Sequence, residues 1–113
     1  MITNRVPDIA TDGFPVELTD HTVTVRVSGE IDLLTGGGLH RSLTKALRHA
    51  TANRPLVVDF HRVTFCDSAG LNALITARIT AEKKKVAIRL TGLNHQTRRL
   101  LEVTGALPLF TVT

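Results

Sequence analysis

The sequence predicts an α/β domain, a mixed β-sheet of four to five strands packed with about three α-helices. Three observations predict it. Val23, Val25 and Val27 alternate with Thr24, Arg26 and Ser28, the period-two pattern of a half-buried strand. After Asp32 the period changes, and Leu39, Leu43, Ala46, Leu47 and Ala50 recur at helical spacing. From Leu56 onward, short apolar runs alternate with helical stretches, which implies largely parallel pairing behind an antiparallel hairpin. A chain of 113 residues is close to the commonest size for one domain.

The elements follow in order. Residues 1–13 carry Pro7, Asp8, Asp12 and Gly13 with little periodicity, so they predict a flexible N-terminal arm ahead of a folded domain over 14–113. Phe14 to Leu18 is a first short strand, and Thr19-Asp20-His21 turns the chain into the Val23–Val27 strand, closing a hairpin. The first helix runs past Leu47, with Arg41, Lys45 and Arg48 opposite its apolar side, and Asn53, Arg54 and Pro55 end it. Gly36-Gly37-Gly38 gives backbone freedom at its start and weakens that turn, each glycine by about 0.5–1 kcal/mol relative to Ala. Leu56-Val57-Val58-Asp59-Phe60 is a nearly continuous apolar run, the mark of an interior strand. Ser68 to Lys84 predicts a second helix with Leu71, Leu74, Ile75 and Ile79 as its apolar face. Val86 to Leu90 is a further strand. Asn94 opens a third helix through Leu100, Leu101 and Val103, stopped by Gly105, and Leu109 to Val112 adds an edge strand.

Composition excludes several classes of function. Hydrophobic residues at 42% against 21% charged residues suit a packed core rather than disorder. The net charge of +4 is modest, and Lys83-Lys84-Lys85 is the one run of positive charge. With no Trp or Tyr and four Phe there is no aromatic platform for stacked bases, so nucleic acid is not an expected partner. Cys66, the single cysteine, rules out an internal disulfide and a multi-cysteine zinc site. No apolar run approaches the ~20 residues of a membrane span, and Met1 to Asp8 lacks the apolar core of a signal peptide, so a cytoplasmic protein without membrane association is expected.

Catalytic patterns are also missing. The triple glycine lacks the following Lys-Ser/Thr of a phosphate loop. Histidines stand at 21, 40, 49, 61 and 95, and His40 and His49 lie more than two helical turns apart, too far to share a metal. Ser68 sits in Cys66-Asp67-Ser68-Ala69-Gly70, which is not the Gly-x-Ser-x-Gly of a nucleophile elbow, and neither His61 nor His95 is singled out as its base. Asp32, Asp59 and Asp67 fall near strand ends without any spacing that makes them converge. No enzyme activity and no cofactor are expected.

One segment does stand out. Phe65-Cys66-Asp67-Ser68-Ala69-Gly70-Leu71 leaves a strand, crosses a short loop and enters a helix. Asp67 or Ser68 serves as the N-cap. That helix end carries about half a positive charge with unpaired N–H donors, a setting that suits a phosphate attached to Ser68. Gly70 removes a side chain and lets a partner surface approach. On the residues alone, Ser68 as a plain helix cap and Ser68 as a functional group both stand.

Two stretches carry a resemblance. Val27-Ser28-Gly29-Glu30-Ile31-Asp32-Leu33-Leu34-Thr35 and the run from Leu56 to Leu71, ending in Asp67-Ser68-Ala69-Gly70-Leu71, resemble the signature segments of the STAS family, specifically the bacterial anti-sigma factor antagonists. The correspondence covers residues 14 to 110. It implies a STAS-like single domain and a non-enzymatic partner switch. In that family the unmodified protein binds an anti-sigma factor, often a serine kinase with a GHKL-type ATP fold, and so frees a sigma factor. The kinase phosphorylates the serine matching Ser68 and a phosphatase reverses the step. Asp32 matches the family's acidic position near that serine, and Asp67 the residue beside it. Asp32, Asp67, Ser68, Ala69, Gly70 and Leu71 are the partner-binding residues that the resemblance implies. The triple glycine departs from the family, whose members carry better helix formers there. A second reading keeps the fold as an accessory domain of a transport complex, with no phosphorylated serine. A third is a small hydrolase using Ser68.

Overall fold

Two neighbouring parallel strands of unequal length set the centre of the molecule. The computed structural model describes residues 13–113 in full and the backbone of residues 4–6. The chain forms β1 (Asn4–Val6), β2 (Val16–Leu18), β3 (Val23–Ile31), α1 (Gly36–Leu47), β4 (Leu56–Cys66), α2 (Ser68–Lys84), β5 (Ile88–Thr91), α3 (His95–Val103), a 3-10 turn (Leu107–Leu109) and β6 (Thr111–Val112). The strands lie in chain order in one sheet; β1, β2 and β3 are antiparallel, and β3 to β6 are parallel. Strands β2–β6 and the three helices are the mixed sheet and helices that the sequence predicts, and β1 extends the edge to six strands. Of the arm expected over 1–13, Asn4–Val6 is thus a strand, because its backbone completes an antiparallel ladder on the free edge of β2. Residues 1–3 and 7–12 lie outside the described residues.

The apolar run Leu56–Phe60 predicts burial on both faces, but β4 alternates. Leu56, Val58, Phe60, Val63 and Cys66 are buried, whereas Val57 and Asp59 are half-buried and His61 and Arg62 exposed. The same alternation runs through β3 and β5, so one face of the sheet is apolar. Helices α1 and α2 pack on each other, and α1 against β3, to cover it, while the opposite face carries Thr24, Arg26, Ser28 and Arg89. The fold is two layers rather than three.

Nine residues of β3 face eleven of β4. The excess is taken up at two irregularities, between Arg26–Ser28 and Asp59–Arg62 and between Gly29–Glu30 and Val63–Phe65. Each adds a residue to β4 and bends it. The strands still end together, with Ile31 opposite Cys66.

On α2 the buried stripe is Gly70, Leu71, Ala73, Leu74, Ala77 and Ala81. Ile79 lies roughly half a turn round from that stripe and is 52% exposed, so it is not part of the core face. Small residues in the stripe let α1 come close. Helix α2 ends at Lys85 in the left-handed region (φ 58°), where its N–H bonds the carbonyls of Ala81 and Glu82. Near the C-terminus, the expected strand from Leu109 starts two residues later, because Pro108 and its neighbours take up the 3-10 turn. No helix among the described residues is long and apolar enough to cross a membrane.

Gly70 faces inward. A Cβ there would stand 2.4 Å from Cys66 Sγ and 2.9 Å from Ile31 Cγ2. The absent side chain is therefore required by the core beneath α2, not by an approaching partner. Cys66 lies under it, 1% exposed, and burial, with a smaller contribution from the Asp67 carboxylate, pushes its thiol up to about 11.

Two expectations follow. Gly70→Ala overpacks this contact and lowers stability by about 1–3 kcal/mol, read as a lower urea midpoint at unchanged slope. At neutral pH the Cys66 thiol is both covered and protonated, so a thiol reagent labels the native protein at least about a hundredfold more slowly than the urea-unfolded chain. Equal rates would show an open, reactive thiol.

Candidate functional site

The paired strand ends bring two loops together. Beyond Ile31 and Cys66, the chain continues as Asp32 and Asp67, and the Asp67 N–H donates to the Ile31 carbonyl at 3.0 Å. The carboxyl ends of adjacent parallel strands are where open α/β sheets present their ligand sites. Asp32 and Asp67, separate in sequence, thus leave the sheet side by side.

Asp67 is the N-cap of α2. Its Oδ1 accepts the Ala69 N–H at 2.8 Å, and its carbonyl accepts the N–H groups of Gly70 and Leu71. This resolves the choice between Asp67 and Ser68 as the cap. Ser68 becomes the first helical residue, is exposed, and its hydroxyl has no hydrogen-bond partner among the described residues.

Asp32 organises the other loop. Its Oδ1 accepts the N–H of Leu34 at 2.9 Å and that of Thr35 at 3.3 Å. The Thr35 hydroxyl accepts the Asp32 N–H and donates to the Glu30 carbonyl, both at 2.8 Å. Asp32 is half-buried and holds the turn into α1 while leaving part of its carboxylate at the surface. At the tip of the turn, Leu33 and Leu34 are 87% and 88% exposed. Two neighbouring leucines in full solvent are a marker of an interaction surface.

The helix starts are close. Gly36 is buried, and a Cβ there would lie 3.0 Å from that of Ala69. The triple glycine therefore admits close contact between α1 and α2 at its first position, where the sequence predicts loosened backbone. An open groove runs down from this contact between the two helices, lined by Leu33, Gly37, His40, Ala69, Asn72 and Thr76. Of the six residues implied as partner-binding, Asp32, Asp67, Ser68 and Ala69 are fully or partly accessible here, whereas Gly70 and Leu71 are buried. Those two belong to the packing that sets the others in place.

Helix α3 braces the site from the far side. The Gln96 side chain spans the Cys66 backbone, its Oε1 accepting the Cys66 N–H at 2.9 Å and its Nε2 donating to the Cys66 carbonyl at 2.6 Å. Asn94 caps α3 by accepting the Thr97 N–H at 2.8 Å, and its Nδ2 donates to the carbonyls of Val63 and Thr64. Together they hold the end of β4, immediately before Asp67 and Ser68. Sequence reasoning missed Gln96, Leu33 and Leu34. The leucines had a local signal, two apolar residues in a turn between a strand and a glycine-opened helix; Gln96 had none, since its partner is 30 residues away.

Chemically, the site offers a hydroxyl at a helix N-terminus with two carboxylates alongside. Among the described residues, no group of three His, Cys, Asp or Glu is arranged to hold a metal ion. His61 is engaged elsewhere, its Nδ1 2.7 Å from Asp59 Oδ1.

Solved structures share this architecture. An anti-sigma factor antagonist from Mycobacterium paratuberculosis is 28% identical, with a TM-score of 0.76 over 90% of this chain and 86% of its own. The anti-sigma factor antagonist SpoIIAA in its unphosphorylated form is 20% identical, with a TM-score of 0.72 over 89% of this chain and 88% of its own. The Bacillus cell fate determinant SpoIIAA in its phosphorylated form is also 20% identical, with a TM-score of 0.67 over 89% and 91% of the two chains. The family model described as "Mlab, STAS domain" covers residues 14–108, and by that match the chain belongs to the STAS domain family.

Proposed function

We propose that this protein is an anti-sigma factor antagonist that binds its anti-sigma factor through the surface around Ser68 and is released when Ser68 is phosphorylated. The observation that carries this reading is the division of labour between Asp67 and Ser68. Asp67 caps the helix, so the exposed Ser68 hydroxyl is left with no structural duty. The likeness to SpoIIAA, solved in unphosphorylated and phosphorylated forms, supports it. The partner in this reading is a serine kinase with a GHKL-type ATP fold, a phosphatase restores the free serine, and the chain itself is not an enzyme.

The physics of the switch lies in the interface. A phosphate adds about −1.5 to −2 charge at neutral pH. Within the chain it meets the N-terminus of α2, which favours it by typically about 0.3–1 kcal/mol. Asp67 and Asp32 beside it offset part of that gain, so the fold changes little. At a docked partner, a misplaced charge costs on the order of several kcal/mol. Leu33 and Leu34 supply the apolar contacts that anchor the unmodified complex.

Phosphorylation is therefore expected to weaken partner binding at least about a hundredfold, equivalent to about 2.7 kcal/mol. Calorimetric titration of the anti-sigma factor with unmodified and phosphorylated protein measures this, alongside circular dichroism of both. Ser68→Ala binds and resists phosphorylation; Ser68→Asp binds poorly. Equal affinities would remove the switch and favour the accessory domain of a transport complex; a changed spectrum would move the mechanism from exclusion at the interface to refolding.

Asp32 has two duties, and two substitutions separate them. Asp32→Ala removes the carboxylate from the turn and costs about 1 kcal/mol of stability as well as partner affinity. Asp32→Asn keeps the oxygen that accepts from Leu34 and Thr35, so its melting temperature stays near that of the parent while partner affinity falls. Full affinity in Asp32→Asn would confine this residue to the turn.

A further inference from the structure

We propose that the open face of the sheet carries a second site, for a small anion bearing a carboxylate or phosphate group, held by Arg62 and Ser28 beside the ring of His61. The reading concerns a different face of the molecule from Ser68 and does not rest on the proposed function.

Strand geometry makes the site. In an unbroken strand, His61 and Arg62 would point to opposite faces. The irregularity in β4 sets Arg26 opposite Asp59 but Ser28 opposite Arg62, inserting one extra residue. Such an insertion re-aims side chains, and here His61 and Arg62 are both exposed and line one hollow with Ser28 and Pro15. The hollow measures about 390 Å³.

The charges in it are already partly matched. Arg26 bridges Glu17 Oε1 at 2.8 Å and Asp59 Oδ2 at 2.9 Å. Asp59 also accepts the His61 N–H at 2.9 Å and faces the His61 ring at 2.7 Å. Burial pushes the Asp59 carboxyl upward, but the His61 backbone and ring bonds, with the charges of His61 and Arg26, outweigh it and hold the group below the ordinary carboxylate range. Asp59 thus stays ionised and engaged at neutral pH. The Arg62 guanidinium, the Ser28 hydroxyl and His61 Nε2 have no partner among the described residues. Asp59, the carboxylate that lines the hollow, is occupied by Arg26 and His61, and the unengaged groups in the lining include a cation, Arg62, and a hydroxyl, Ser28. An arginine fork matches a planar carboxylate or a phosphate edge with two parallel hydrogen bonds.

His61 is also held in place. Gly92, at φ +74°, brings its backbone against the ring, where a Cβ would come within 2.5 Å of it. Asp59 holds Nδ1 at 2.7 Å. A ring fixed before the ligand arrives reduces the ordering cost of binding.

The test is amide NMR titration of the full chain with inorganic phosphate and, separately, with succinate, against sodium chloride at matched ionic strength. The expected result is saturable shifts at Ser28, His61 and Arg62 with at least one of the two anions and none with chloride. The stronger of the two names the source of the acceptor group. Arg62→Gln is expected to weaken that binding at least about tenfold and Ser28→Ala about threefold, both with parental circular dichroism. Shifts no larger than those in chloride, or equal affinity in a folded Arg62→Gln, would overturn the site. If Arg62→Gln does not fold, Ser28→Ala carries the test, and equal affinity in it would overturn the site. Partner affinity at the Ser68 surface reads the other reading separately.

Discussion

The candidate functional surface depends on one contact, the parallel pairing of Ile31 with Cys66 at the ends of β3 and β4, continued by the bond from the Asp67 N–H to the Ile31 carbonyl. It makes two chain segments leave the sheet at the same height. Everything at the site is then local. Asp67 caps α2, Asp32 closes the turn into α1, and the small residues Gly36 and Ala69 let the helix starts meet. Beneath them, Gly70 leaves room for Cys66 and Ile31. A shift of one residue in this register would carry Asp32 away from Asp67 and turn Ile31 out of the core.

That register has to be reached despite unequal strands. The two extra residues in β4 are absorbed below the site, around Phe60–His61 and at Thr64, so that the last pair still matches. Gln96 and Asn94 then fix the backbone of β4 from α3. A strand end held from β3 on one side and from α3 on the other has little freedom to move when the first residue of α2 acquires a charge. In the proposed switch, a charge at Ser68 therefore acts on what can dock there rather than on the shape of the protein.

Much of the fold was legible in the sequence because its signals are local. The alternation Val23-Val25-Val27 marks β3, and the bounds of α2 follow from a cap at Asp67 and a lysine-rich end. The Asp67-Ser68 junction was visible for the same reason, as was the two-loop origin of the site through the resemblance. What escaped was set by distance. Periodicity says which residues are apolar but not how two strands align, so the insertions that turn His61 and Arg62 to one face left no trace in a run that reads as continuous. Leu56–Phe60 looked doubly buried because Val57 is apolar, yet the face it shares with Asp59 has no helix over it. Gly70 signals a missing side chain in either direction, and only Cys66 and Ile31 beneath it give the direction as inward.

The two-layer build assigns separate work to the two sides of the sheet. Helices α1 and α2 cover one face, and their N-termini deliver the hydroxyl, the carboxylates and the exposed leucines to one end. The other face needs no apolar cover, because its larger side chains are polar: Arg26 draws Glu17 and Asp59 together, and Asp59 orients His61. Both ends of β4 share this economy of position. Asp59 and Asp67 are carboxylates on the same strand and its exit loop, yet one is locked between a guanidinium and an imidazole while the other is occupied with backbone N–H groups. Because Asp67 caps the helix, the Ser68 hydroxyl at its first position stays exposed, with no hydrogen-bond partner among the described residues.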